Sequence, residues 1–446
     1  MNSTSITYSS SYKVWLWISI FAVFLVLHTP KDKVIVLSEH AVNFIFHNVD
    51  LVKGIFKDTA SANWNLQQFI FRIKRIVFLI SIVILFYPLL VSLKRSGYLW
   101  DSQKLKRRLI ISGTIFLFLS LFIFPVHLAG AGSRYALMSI SPFEASSGWY
   151  YRRILMPAIA NFLGFEGYLL YYIYSMVINF ILIFFVVAYV EHEGIEINVL
   201  HLLSIATSSF IIFNFMLQGF ADPLMCILLL LALFVVDHHE SRLAITALTL
   251  AAHEGSVFIL MPLMFFFFPR KDLYKYFLVI AMYFGLYFLS YRLNAINLVE
   301  SHNLIENKIG IGWAVEYPFR AIGGWFFAYK LLWIIIIYAV FKMLKTNNTV
   351  KAVSVVSILI LAPLIINILT VDVYRNIAGG FLGLLICYSF LMKSGYGKTI
   401  SLNVIMFINI LIPSIYVGTN NGFRPVPGLY GWLYKLIGLN KLLGNL

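Results

Sequence analysis

Apolar runs close to membrane-crossing length recur along almost the whole chain, and few folds accommodate that pattern. Residues 76–93 carry no charged group, and about 20 apolar residues suffice to cross a hydrocarbon core as a helix. Similar runs fall at 13–28, 109–129, 168–190, 199–217, 221–236, 273–292, 326–342, 351–370, 376–392 and 399–417. Composition agrees: 61% of the 446 residues are hydrophobic and 12% charged, against roughly 25% charged in soluble globular domains. The expectation is an all-α, polytopic transmembrane helical bundle. It is read as a single multi-pass membrane domain over 1–446, because no long polar linker divides the chain. The net charge of +15 does not call for nucleic acid, since Lys and Arg sit mostly in short loops between apolar runs. Cys226 and Cys387 both lie in apolar runs, which argues against a disulfide framework or a metal site. The run from Lys13 to His28 lacks a small-residue cleavage site and reads as a retained first helix.

Loop charge sets the expected orientation. The segment Lys94–Arg108 holds Lys94, Arg95, Lys104, Lys106, Arg107 and Arg108, so the excess of basic residues places it in the cytoplasm. Residues 243–268 fit either one long helix or two short ones turning at His253-Glu254-Gly255. Two short helices also put Arg270 and Lys271, Lys342–Lys351 and Lys393–Lys398 in the cytoplasm, whereas one long helix sends them all outward. The two-helix reading therefore stands. It predicts about thirteen spans, a cytoplasmic N-terminus and an extracytoplasmic tail at 418–446 in the cell inner (plasma) membrane.

Five polar clusters interrupt the apolar sequence, and that topology puts all of them outside: Ser141–Arg153, Gln218–Pro223, His253–Ser256, Glu316–Arg320 and Asp372–Asn376. Polar backbone below a membrane surface is tolerated only where it lines protein or water, so an extracytoplasmic cavity is expected. In the first cluster Trp149, Ile154, Met156 and Phe162 can share one face of an outer amphipathic helix, leaving Arg152 and Arg153 polar. Such an Arg pair suits bidentate contacts to a phosphate or pyrophosphate, or simple anchoring to lipid headgroups. Asp222 before Pro223 reads as helix-start chemistry or as a substrate or catalytic carboxylate. His253 and Glu254 can move protons or bind hydroxyls, or merely cap two short helices; they lack the spacing of a zinc motif.

Asp372 and Arg375, three apart, can pair with each other, or Arg375 can meet a phosphate. Glu316 and Arg320 end a long outer loop holding Glu300, His302, Glu306 and Lys308, and long loops are often lids or binding loops. Trp313, Tyr317 and Trp325 fit sugar stacking or, better, an aromatic belt at the headgroups. Asp237–Glu240 and Glu191–Glu193 read as solvated connections, and the Asn347 sequon falls on the cytoplasmic side. No phosphate loop, dinucleotide fingerprint or nucleophile elbow is present, and no internal repeat suggests an inverted-repeat transporter.

In layout and in local phrases the chain resembles the GT-C class of polytopic glycosyltransferases. The phrases are Tyr151-Arg-Arg-Ile-Leu-Met-Pro157, Phe220-Ala-Asp-Pro223, Ala252-His-Glu-Gly-Ser256 and Asp372-Val-Tyr-Arg375, within 109–380. The resemblance implies sugar transfer from a polyprenyl-phosphate-linked sugar to a glycan or lipid acceptor on the extracytoplasmic face, among membrane lipids. It implies no cofactor, and no divalent metal is indicated. The catalytic carboxylate would be Glu144, then Asp222 or Glu254. Arg152, Arg153 or Arg375 would stabilise the leaving phosphate, and His253, Asp372 and Glu316 would contact substrate. The chain departs from the class at Ala129–Tyr135, where an acid is usual and none stands; Glu144 is the nearest carboxylate in the loop and Asp50 the alternative in the preceding one. Other readings are a polymerase or flippase for lipid-linked oligosaccharides and a non-catalytic membrane scaffold.

The two-helix topology is tested by single cysteines, Gly255→Cys and Arg270→Cys, in a chain with Cys226 and Cys387 replaced by Ala. A membrane-impermeant maleimide is expected to reach them from opposite sides. Labelling from one side contradicts the topology and reassigns every later loop.

Overall fold

The computed structural model describes residues 8–436 apart from 30, 49–58, 96–100, 124–127, 129–130, 145–152, 237, 294–313, 315, 370–372, 399–400, 419–421 and 427. Its helices begin with α1 (Ser10–Leu27), α2 (Lys31–Asn48), α3 (Thr59–Arg95) and α4 (Ser102–Phe122). Asp101 starts α4 by accepting bonds from the backbone N–H groups of Gln103 and Lys104, which otherwise lack partners at a helix N-terminus. Two short helices follow, α5 (Ala131–Met138) and α6 (Leu155–Phe162), then the long α7 (Gly167–His192).

Next come α8 (Val199–Ala206), α9 (Ser209–Met216), α10 (Asp222–Phe234), α11 (His239–Ala252), α12 (Val257–Phe267) and α13 (Leu273–Leu293). The last third holds α14 (Pro318–Tyr329), α15 (Leu332–Lys345), α16 (Thr349–Val356), α17 (Ala362–Leu369), α18 (Val373–Ala378), α19 (Phe381–Lys393) and α20 (Leu402–Leu411). A small antiparallel hairpin, Ile415–Gly418 with Gly422–Pro425, and α21 (Leu429–Leu436) close the described chain. That hairpin is a minor departure from the all-α expectation.

Among the described residues six helices are long and apolar enough to cross a membrane, or up to eight if each of two bent pairs is one span. The expected thirteen counted every apolar run, including α10, α12 and α20, which are shorter apolar helices here. The chain is thus a multi-pass helical membrane protein. Its outward faces fit lipid: Leu121, Leu169, Val83 and Ile337 are each at least 65% exposed. The centre is α11, whose residues from Leu243 to Ala252 are buried on every side; a helix apolar all round belongs inside a bundle. Around it pack α1, α3, α10 and α13, and one continuous hydrophobic cluster runs from Leu16 to Val426.

The expected outer amphipathic helix differs in the structure. Helix α6 is short, and Ile154 and Met156 are 0% and 1% exposed while Phe162 faces out. Packing against α5 and α11 has taken the face that an interfacial helix would give to lipid. Trp149 lies outside the described residues.

Ion pairs between segments fall into two sets. Arg108 pairs with Glu191, Lys393 with Glu193 and Lys13 with Glu240, and the His239 ring stands 3.7 Å from Asp272. All of these positions belong to segments expected at one membrane face. Arg153 with Glu254 and His253 with Asp222 join segments expected at the other.

Candidate functional site

Three chain breaks build the site. Helix α11 ends at Ala252 because His253 adopts extended backbone angles, and Glu254–Ser256 form a single 3-10 turn before α12. The break expected at His253 is therefore present. The backbone N–H of Gly255 donates to His253 Nδ1 at 3.0 Å. That bond leaves Nδ1 as the acceptor and assigns the ring proton to Nε2. Nε2 lies 3.8 Å from Asp222 Oδ1, too long for a direct hydrogen bond.

Asp222 is the first residue of α10, followed by Pro223, whose ring suits a first helical turn. It is 6% exposed. The turn before it passes through Gly219 at φ +93°, a conformation glycine adopts without penalty. The backbones of Gly132 in α5 and Gly219 touch there: a Cβ on Gly132 would stand 2.0 Å from the carbonyl oxygen of Gln218. Tyr171 donates to the Gly219 carbonyl at 3.2 Å, and Asn179 donates to Gln218 Oε1 at 2.9 Å, both from α7.

Arg153 comes from the turn leading into α6. Its Nε and Nη2 donate to the two carboxylate oxygens of Glu254 at 2.9 and 2.7 Å. Fork-on-fork geometry of this kind is the strongest form of ion pair. Burial is the largest single influence and opposes charge on Glu254, but the Arg153 guanidinium, the His253 ring and the hydrogen bonds together hold the carboxyl well below the usual carboxylate range. Asp222 and the buried Tyr135 of α5 also act electrostatically on Arg153.

Four candidates from the sequence are thus gathered at one place: Arg153, Asp222, His253 and Glu254. Glu144 stands apart. It lines a pocket of about 90 Å³ with Arg72 and Arg75 of α3 and Asn161 of α6. Glu316 and Arg320 belong to a second group, where α14 packs on α18 and Tyr329 donates to the Ile377 carbonyl at 2.8 Å. Arg320 stacks over the Tyr317 ring at 4.6 Å. Arg152, Asp372, Asp50, Trp313 and the long loop's Glu300, His302, Glu306 and Lys308 lie outside the described residues, as does the side chain of Arg375.

Sequence reading missed Tyr135, Gly132, Tyr171 and Asn179. The Gly-Ala-Gly before Ser133 was the available signal, since glycines inside an apolar bundle often mark close backbone approach.

The chemistry divides between two pairs. Glu254 is committed to Arg153, and a carboxylate held so far below the usual range is a weak general base. Asp222 faces an imidazole that can carry or return a proton, the arrangement expected of a carboxylate–histidine acid–base pair. Comparison with protein-family models, curated proteins and solved structures finds no match.

Gly132→Ala tests the close approach. The added methyl has to displace the Gln218 backbone, so a loss of about 1–3 kcal/mol in unfolding free energy is expected, measured by denaturant titration in detergent micelles. Unchanged stability contradicts the packing.

Proposed function

We propose that this chain is an integral membrane glycosyltransferase that moves a sugar from a polyprenyl-phosphate donor to a glycan or lipid-linked acceptor. The observation that carries the reading is the convergence of Arg153, Glu254, His253 and Asp222 from three distant segments in an apolar bundle. Ionisable groups at membrane depth are costly and are generally kept for function. In this reading Asp222 takes the acceptor hydroxyl's proton, with His253 Nε2 oriented toward it. The hydroxyl oxygen then attacks the anomeric carbon as the bond to the phosphate oxygen breaks. Arg153, positioned by Glu254, supplies positive charge where the leaving phosphate develops negative charge, which is where charge helps most. Arg152 and Arg375 would add to it from segments expected at the same face.

The accompanying topology has about thirteen crossings counting the short helices, a cytoplasmic N-terminus and an outward-open cavity in the plasma membrane. The region 109–380 would form the transferase core.

A second reading, a flippase for lipid-linked oligosaccharide, has one specific observation in its favour. Helices α14 and α15 bend by 78° and α8 and α9 by 62°, and broken helices are common where transporters bind substrate. At the first break Lys330 has φ 51° and donates to the Ile412 carbonyl and Ser414 Oγ at 3.0 and 3.1 Å. Asn409 bridges the two bent pairs, accepting from the Leu331 N–H at 3.0 Å and donating to Ser204 Oγ at 3.1 Å.

The discriminating experiment compares a strain lacking the chain with strains carrying wild-type or Asp222→Asn protein at equal membrane levels. Mass spectrometry of surface glycans and lipid-linked sugars reads the outcome. Loss of a general base is expected to cut transfer about 100-fold or more, leaving the donor lipid to accumulate. Glycan profiles unchanged by Asp222→Asn, Arg153→Ala and Glu254→Gln contradict an enzyme and leave the scaffold reading.

A further inference from the structure

Helix α3 carries Arg72, Lys74 and Arg75 within one turn, followed by the uncharged stretch 76–93 and then Lys94 and Arg95. Eighteen helical residues rise about 27 Å, close to the roughly 30 Å thickness of a hydrocarbon core. The two basic groups therefore mark the two interfaces of one crossing. Arg72 and Arg75 sit at the interface opposite Lys94 and Arg95, on the side expected to be extracytoplasmic.

At that interface the two arginines line the pocket made with the Ser141–Glu144 turn. The turn is held in place from both directions. Lys74, 6% exposed, donates to the carbonyls of Thr29 at 2.6 Å and Phe143 at 3.1 Å. Asn161 donates to the carbonyls of Ser139 and Ile140 at 2.8 and 3.2 Å. Glu144 contributes one negative charge against the two arginines, which leaves the pocket net positive. Among the described residues neither arginine is in an ion pair.

Arg72, which lines the pocket, stands at the head of an exposed apolar face of α3. At 100° per residue Arg72 lies within about 40° of Ile76, Val83 and Leu90 on α3. These three are 53%, 66% and 60% exposed. A cationic pocket at an interface, with one of its arginines on the same helix face as a long exposed apolar stripe, matches a molecule with an anionic head and hydrocarbon tails.

We propose that Arg72 and Arg75 hold the phosphate of an anionic membrane phospholipid, whose acyl chains lie along Ile76, Val83 and Leu90. This site does not depend on the transferase reading, because it shares none of the residues gathered around Asp222. Its phosphate is bound through guanidinium forks, which match phosphate oxygens in pairs.

The full chain, reconstituted in phosphatidylcholine nanodiscs doped with phosphatidylglycerol, tests this by native mass spectrometry of the retained lipids. Two interfacial arginines are expected to enrich phosphatidylglycerol about tenfold or more. Arg72→Gln with Arg75→Gln should abolish the enrichment, and Arg72→Lys with Arg75→Lys should keep part of it through charge alone without the paired guanidinium contacts, which separates lost binding from misfolding. Enrichment unchanged in the Gln variant overturns the site. Displacement by millimolar inorganic phosphate overturns the lipid assignment. Retention of an added polyprenyl phosphate with no retention of phosphatidylglycerol overturns the phospholipid as occupant.

Discussion

The part-buried pairing of Arg153 with Glu254 is the constraint on which the outer end of this bundle depends. Taking either charge out of water costs several kcal/mol, and only a partner with good geometry returns it. Both oxygens of Glu254 receive a guanidinium N–H from a residue 101 positions away. The contact fixes the turn before α6 onto the break between α11 and α12. The His253 imidazole then lies between the paired Glu254 and Asp222, and α10 must start where it does. Removing one partner of a fully buried pair costs about 3–5 kcal/mol; partial exposure of these two side chains sets that figure as the upper end here.

At the opposite end the same rule applies to Arg108, while the half-exposed Lys393 gains less from its partner. Arg108 is fully buried and is bonded through Nε to Glu191, and Lys393 reaches Glu193 at 2.7 Å. Each set of pairs ties segments that loop charge assigns to one face of the membrane. In a bundle whose apolar surfaces meet lipid as readily as each other, polar contacts and close packing carry much of the specificity of helix association. The two layers of ion pairs supply that specificity at the two ends, and the apolar helix α11 joins them through the middle.

Much of this was legible in the sequence because it is written locally. The helical membrane class follows from run length and composition, and the break at His253 follows from four polar residues inside an apolar stretch. The gathering of Asp222, His253 and Glu254 was partly foreseen, since loop charge placed their segments at one face. The pairing of Arg153 with Glu254 was not, because both phrases look equally suited to a ligand and nothing local says that they satisfy each other. The α6 segment looked interfacial for a related reason. Its apolar face was visible, but the helices α5 and α11 that cover it lie 15 or more residues away in sequence. Tyr135 was passed over because a buried tyrosine has no pattern of its own, and the close approach of Gly132 to Gly219 is a property of two segments, not one. The count of about thirteen depends on taking α10, α12 and α20, which are apolar but shorter than a full crossing, as spans.

The central claim is that Arg153 and Glu254 act as one unit. A double-mutant cycle with Arg153→Met and Glu254→Met, read by denaturant unfolding in detergent micelles, measures this most directly. The account predicts two strongly destabilised single variants, a double variant more stable than either, and a coupling energy of about 2 kcal/mol or more. Two single effects that add, with coupling below about 0.5 kcal/mol, would contradict it.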